Sequence, residues 1–322
     1  MRDDQLPAPQ PHACALLSRE LGEPVAGTAA TQSAWLLLEQ PGPWGRVAAT
    51  ESRLDPALGG ELDGRTAGTG VRLCLIRRPD RGNDHDPPLR RWFAASTHPE
   101  RSWLATGEVA DPADLLKIDF AALDAGDRRA VAALEHSFPD TPILGICTNG
   151  RRDACCATLG RRVVVAADEA FPVGASAPAV WEITHLGGHK FAPTGVVLPS
   201  GCVYGRLDAE LAIRVLTEAR QGRMVPDGCR GRSTWERPGQ AAELAVRTEL
   251  DEFRPGPLVV ASTVKTAGDP EPAWTVVVEH EDGRGYEVAV RGAYAPVPRA
   301  ESCGKADGTP LELRVAAIDK IR

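Results

Sequence analysis

The stretch "HLGGHKFAPTGVVLPSGCVYGRL" (185–207) decides how this chain is read. His185 and His189 stand four positions apart, with Gly187 and Gly188 between them. On a helix that spacing stacks both imidazoles on one face, as in metalloprotease helices. Each interior glycine, however, costs a helix roughly 1 kcal/mol relative to alanine, so the pair of glycines argues for a loop. Beyond the loop, residues 193–207 read as a β-hairpin turning around Pro199-Ser200-Gly201.

Working outward, "PILGICTNG" (142–150) is an apolar strand that ends at Cys147 in a loop. "ACCATLGRRVVVAADEAF" (154–171) follows as a helix, with Gly160 a point of interruption. "AVWEITHLGGH" (179–189) is a second strand entering the histidine loop, and "DAELAIRVLTEARQG" (208–222) a closing helix. The order β-α-β-β-β-α is that of a thioredoxin-like unit. A cis-proline turn precedes the third core strand of that fold, which makes Pro193 a cis candidate by resemblance.

The remaining chain divides around this unit. Residues 1–11 are polar and proline-rich and read as a flexible N-terminus. Residues 12–139 form an N-terminal α/β region, with a short helix in "HACALLSREL" (12–21) and strands in "SAWLLLEQPGPWG" (33–45), "VRLCLI" (71–76), "RWFAAS" (91–96) and "SWLATGEV" (102–109). Residues 77–91 make a charged surface loop, and two helical stretches, "DPADLLKI" and "DAGDRRAVAALEHSF", close the region. It shares the strand, loop, helix and hairpin order of the central unit loosely, and chance similarity between two α/β halves is the preferred reading. Residues 140–225 are the thioredoxin-like unit. Residues 226–322 hold the helix "QAAELAVRTELDEF" and four alternating strands. The fold class is therefore α/β, α+β overall, with a small β-rich segment at the C-terminal end.

Composition narrows the function. The chain has 322 residues, 43% of them apolar, and a formal net charge of −7, which gives no reason to expect nucleic acid or an anionic membrane as partner. No apolar run reaches membrane-spanning length and the N-terminus has no apolar signal region, so a cytoplasmic protein is expected. There, the eight cysteines are expected to be thiols or metal ligands rather than a disulfide framework.

Cys147, Cys156, His185 and His189 give the pattern C-x8-C-x28-H-x3-H. Two soft and two borderline donors suit tetrahedral zinc or an iron–sulfur cluster. Eight residues between the cysteines make a wide loop for a zinc knuckle, and spacing alone leaves both open. It also leaves open whether Cys155 or Cys156 is the second donor.

"CTNGRRDACC" (147–156), "HLGGHKFAPTGVVLPSGCVYGRLD" (185–208), "RGRS" (230–233) and "SCGK" (302–305) resemble the sucrase/ferredoxin-like family, as do "CALLSRELGEPVAGTA" (14–29) and "WLLLEQPGPWG" (35–45). The likeness extends along nearly the whole chain. It implies a thioredoxin-like ferredoxin domain carrying one 2Fe–2S cluster on Cys147, Cys156, His185 and His189, the Cys/His branch of the family. Zinc on the same four donors, as a structural scaffold, is the alternative cofactor reading. Sucrase activity is not expected, because no glycosidase carboxylate pair is defined. Whether the chain is itself an enzyme stays open: it reads as a redox carrier or as a component of an oxidoreductase system. Replacing two thiolates by neutral imidazoles removes negative charge and raises the potential. Rieske centres lie at about −150 to +300 mV, against about −400 mV for plant-type ferredoxins. Each histidine keeps one ring nitrogen free for a proton, so the potential should fall as pH rises. The expected partner is another redox protein, since no G-x-G-x-x-G nucleotide fingerprint is present. A thioredoxin-fold thiol oxidoreductase using Cys147 or Cys155 is disfavoured by the absence of any C-x-x-C.

For the other residues the plain structural reading is preferred. Cys14, Cys74, Cys155, Cys202, Cys229 and Cys303 read as buried thiols, and Trp181 as core. Arg151, Arg152, Arg230, Arg232 and Lys190 read as solvated charge, with cluster stabilisation or partner docking the sharper alternative. Trp235 is a candidate shield for the cluster. His12, His85, His98, His136 and His280 read as surface or internally satisfied histidines.

Overall fold

Apolar runs too short and too continuous for amphipathic helices build the centre of the molecule. The computed structural model describes residues 14–79, 86–171, 179–266 and 271–322. The flexible segment expected at 1–11, His12, and His85 in the charged loop lie outside the described residues.

Helix α1 (Cys14–Glu20) leads into strand β1 (Ala34–Glu39), every residue of which is buried. Helices α2 (Ala48–Glu51) and α3 (Pro56–Thr66) cross over to β2 (Val71–Arg77), which runs parallel to β1. Strands β3 (Arg90–Ser96) and β4 (Trp103–Val109) then add antiparallel to β1 and to one another, and α4 (Phe120–Asp124) follows. Helix α3 has no counterpart in the sequence reading. Its stretch "PALGGELDGRT" has weak apolar periodicity, and its start is marked only by Asp55, whose carboxylate accepts from Leu58 N, and by Pro56 in the first turn. The two stretches expected to be helical after β4 form only 3₁₀ turns, at Pro112–Lys117 and Arg128–Val131, around α4.

The second unit follows its predicted order. Strand β5 (Ile143–Cys147) and helix α5 (Ala154–Ala170) lead to β6 (Val180–Ile183), parallel to β5. Strand β7 (Gly195–Leu198) lies antiparallel to β5, and β8 (Cys202–Tyr204) antiparallel to β7, before α6 (Ala209–Arg220). Between β6 and β7 runs the histidine loop, with a 3₁₀ turn at His189–Phe191 and a cis peptide at Ala192–Pro193, as the resemblance implied. Helix α5 runs unbroken through Gly160, against expectation. A Cβ there would come within 2.4 Å of the Cys147 carbonyl oxygen, so this glycine serves the close approach of helix to strand, not a break.

Among the described residues the strands form two sheets. The larger has nine strands in the order β4-β3-β1-β2-β6-β5-β7-β8-β9, with β9 spanning Cys229–Arg232. With β9 at the edge beside β8, its other eight strands form two quartets of the same order and sense, β4-β3-β1-β2 and β8-β7-β5-β6. They join where β2 pairs antiparallel with β6 through Ile76↔Ile183 and Arg77↔Glu182. Alternate residues of β1 serve two cores: Trp35 and Leu37 lie with Trp181 and Cys147, Leu36 and Leu38 with Trp92 and Leu115. Helix α7 (Arg237–Leu250) then packs Ala242 and Val246 onto the smaller antiparallel sheet. That sheet comprises β10 (Leu258–Thr266), β11 (Ala273–His280), β12 (Gly285–Tyr294) and β13 (Leu311–Lys320). The fold is a mixed α/β layer with a separate β-rich C-terminal unit, as the sequence implied.

Candidate metal centre

Strand β5 delivers Cys147 as its last residue, and the loop that follows returns into α5 through Asp153, whose Oδ1 accepts from Cys155 N at 2.9 Å. Capping fixes the first turn of α5 and brings Cys156, fully buried, back beside Cys147. Strand β6 ends two residues before His185. The chain then needs Gly187 and Gly188, at φ +78° and +71°, to fold back. Gly188 is doubly required, because a Cβ would lie 2.1 Å from the Arg230 guanidinium. That guanidinium donates to Gly187 O at 2.9 Å and to Thr28, holding the loop from below.

The four predicted donors are neighbours in a chain of pairs, Cys147 with Cys156, Cys156 with His189 and His189 with His185. Cys156 Sγ lies 3.5 Å from His189 Nδ1, and the His185 and His189 rings stack at 4.7 Å between centroids. The thiols of Cys147 and Cys156 interact with one another. The trio Asp153, Cys156 and His189 has donor atoms all within 4.8 Å of one another. Cys147 joins it through Cys156, and His185 through the ring of His189. His185 Nδ1 is buried without a hydrogen-bond partner among the described residues. A buried ring nitrogen left unpaired carries a desolvation cost, which an electron-pair acceptor would relieve.

Electrostatics favour the ligating protonation state at both histidines and move Cys147 toward it, whereas Cys156 must give up its proton to bind a metal. Burial first, and then Arg72, push the His185 ring down to about 3, and burial also lowers His189, so both imidazoles are neutral near pH 7. The neighbouring Cys156 thiol lowers Cys147 most; burial opposes this, and the backbone N–H groups of Asn149 and Leu186 and the charge of Arg72 add to the lowering. Cys156 is raised, by the neighbouring Cys147 sulfur first and then by burial. A cavity of about 350 Å³ opens onto both histidines, rimmed by Arg46, Arg152, Lys190, Lys305 and Glu301.

Several residues read as surface charge have a different place. Arg230 and Arg232 are buried in β9; Arg232 reaches Thr97 O at 3.4 Å and Glu243 at 3.5 Å. Lys190 is buried beside His189, where its ammonium bridges Glu23 at 2.9 Å and Glu301 at 3.0 Å. Nothing in the local sequence marks these burials, because the partners come from distant segments. Arg151 is exposed and Arg152 half-buried on the cysteine loop. Trp181 is core, edge-on to Phe93 at 5.5 Å. Trp235 sits at the start of α7, its carbonyl accepting from Thr31 and Gln240. His98, His136 and His280 have internal partners.

Sequence spacing missed Asp153, although an aspartate just ahead of a helix is the ordinary capping signal. It also missed that Cys155 is not spare: its sulfur lies 3.9 Å from that of Cys14 and 3.4 Å from that of Cys303. Cys74, Cys202 and Cys229 are buried, as expected of structural thiols.

A model of the sucrase/ferredoxin-like family matches residues 25–231, well over half of the chain. No curated protein and no solved structure matches it. Among the described residues no helix is long and apolar enough to cross a membrane.

Proposed function

Because the chain belongs to the sucrase/ferredoxin-like family, we propose that it is an electron-transfer protein holding a 2Fe–2S cluster on Cys147, Cys156, His185 and His189. The observation that carries the reading is the buried, unpartnered Nδ1 of His185 beside a stacked, neutral His189 and the adjacent sulfurs of Cys156 and Cys147. Such a cluster, when bound, exchanges one electron at a time. The chain's own residues set the conditions for that exchange. The backbone N–H groups of Asn149 and Leu186 and the charge of Arg72 favour negative charge at Cys147. Cys147 lies in the same core as Phe93, Trp181 and Ile183, which keeps water from the sulfur side. Two imidazoles in place of two thiolates leave less negative charge, which places the potential above that of an all-cysteine centre. The basic rim of the cavity over the histidines suits an acidic redox protein as partner. Neither nucleic acid nor membrane is a proposed partner. Eight unpaired cysteines suit the reducing cytoplasm.

The compact trio Asp153, Cys156 and His189 favours one other reading, a zinc ion held at the same place as a structural scaffold. Anaerobic purification followed by iron, sulfide and zinc analysis separates the two. Equal iron and acid-labile sulfide with a visible absorption spectrum is the expected result; a colourless protein with zinc lost on Cys156→Ser overturns it. His185→Cys and His189→Cys should keep the colour and lower the midpoint potential. The potential of the unaltered protein should fall as pH rises above neutrality.

A further inference from the structure

A second group of sulfurs lies on the far side of Asp153, made from three segments that are remote in sequence. Cys14 comes from the first residue of α1, Cys155 from the first turn of α5, and Cys303 from the connection between β12 and β13. Their sulfurs form a closed triangle with sides of 3.9 Å (Cys14–Cys155), 3.5 Å (Cys14–Cys303) and 3.4 Å (Cys155–Cys303). Asp153 Oδ2 stands 3.8 Å from Cys14 Sγ and accepts from Cys303 N at 2.9 Å and Ser302 Oγ at 3.0 Å. All four donor atoms lie within 4.8 Å of one another. Cys14, Asp153 and Cys155 are buried, while Cys303 is half-buried and leaves one side open to entry.

From this geometry we infer that Cys14, Cys155 and Cys303, with the Asp153 carboxylate, form a binding site for a thiophilic d¹⁰ cation, zinc in the first instance, that ties α1 and the C-terminal connection to the start of α5. Zinc–sulfur bonds of about 2.3 Å in a tetrahedron place sulfurs about 3.8 Å apart, so three sulfurs at these distances need only small movements to close on one ion. The fourth corner falls to the carboxylate, whose hydrogen bonds from Ser302 and Cys303 aim it, in the way outer partners orient ligating carboxylates. Soft sulfur donors select zinc or copper(I) over magnesium or calcium. Binding replaces thiol protons by the ion, so uptake releases protons.

The site uses no sulfur of the Cys147/Cys156 pair and shares only Asp153 with the trio at the histidines, so cysteine variants distinguish it from the cluster proposed there. The test is metal analysis of the full-length protein, purified anaerobically with reductant and supplied with zinc. The unaltered chain should hold an equimolar zinc ion in addition to any iron. Cys14→Ser/Cys303→Ser should lose that zinc while iron, sulfide and visible spectrum stay; Cys147→Ser should lose the iron and keep the zinc. Zinc that leaves with Cys147 or Cys156 instead overturns the inference and assigns the ion to the histidine site. A stable Cys14–Cys303 disulfide in place of bound zinc overturns it as well. Should the double variant fail to fold, alkylation of the unaltered protein decides. Added zinc should protect Cys14, Cys155 and Cys303, mapped by peptide mass spectrometry, and equal labelling with and without zinc refutes the site.

Discussion

The two quartets of the large sheet share strand order and sense and differ in what stands at the ends of their strands. The correspondence runs residue by residue. Glu39 closes β1 opposite Ile76 of β2, and Cys147 closes β5 opposite Ile183 of β6. Two residues past those isoleucines stand Arg78 in the first quartet and His185 in the second. Glu39 and Arg78 form an ion pair at 2.9 Å, whereas Cys147 and His185 belong to the candidate metal centre. One backbone arrangement thus presents the same pair of positions twice, once as a salt bridge and once as donors. Fold supplies the positions, and residue chemistry decides their use.

The sharpest way to break this comparison is to remove a donor. Cys147→Ser should abolish bound iron and colour altogether while far-ultraviolet circular dichroism stays unchanged; retained iron would show that the second quartet's strand end is not a metal position. In the first quartet the largest effect should instead fall on stability. Leu36→Ala opens a cavity in a core shared with Trp92 and Leu115 and should cost about 3 kcal/mol in chemical denaturation. Iron content per folded chain should be unaffected. An equal loss of iron would mean that the first quartet shapes the site rather than merely covering it.

How much of this was legible beforehand follows the reach of each interaction. The second quartet could be read because its strands are short apolar runs separated by glycine and proline, and because its donors sit at strand ends or on the first turn of a helix. The pairing of β2 with β6 could not, since two residue pairs decide it and their partners lie more than a hundred positions apart. The repeated topology of the first quartet is hidden in the sequence for a related reason: α3 is too weakly amphipathic to announce the crossover between β1 and β2. Arg230 reads as loop charge until the histidine loop folds over it. The Cys14–Cys155–Cys303 triangle has no spacing signal at all, because its members meet only through tertiary structure.

The seam between the quartets offers an intermediate effect. Glu182 is fully buried on β6 and pairs with Arg77 of β2 at 2.6 Å and with Arg161 of α5, and it also accepts from Thr148 at 2.6 Å. Glu182→Gln removes the charge but keeps the shape, leaving two guanidinium groups with less compensation. Both arginines retain some solvent contact, so the loss should be about 2 kcal/mol, below the 3–5 kcal/mol of a wholly buried broken pair. Unfolding of the variant in two resolved steps would show that the quartets are separately stable. A single transition would show one cooperative sheet.

A pH dependence should appear where the segment ahead of β1 meets the histidine loop. Burial disfavours the Glu23 carboxylate, but hydrogen bonds from Arg299 and Lys190 outweigh burial and hold it below the usual range. A carboxyl lowered in the folded state contributes stability that is complete above its unfolded value, about 4.3, and is lost as pH falls through the lower folded value. Glu23→Gln should therefore flatten the acid limb of the stability curve, measured by denaturation at stepped pH. An acid limb identical in both proteins would assign the pH dependence to other carboxylates.

The smallest effect is the closest test of the positional match. Glu39 is buried, but its partner Arg78 is nearly half exposed, and Arg91 N also donates to the Glu39 carboxylate at 3.1 Å. Water competes for the exposed guanidinium, so the ion pair itself is worth under about 1 kcal/mol. Glu39→Gln, which keeps an acceptor for Arg91 N, should lower the unfolding free energy by no more than that and leave metal content untouched. The contrast with Cys147→Ser, at the same place on the same scaffold, isolates donor chemistry from backbone geometry. A Glu39→Gln protein that lost its iron would show instead that the first quartet's salt bridge holds the second quartet's strand end in register.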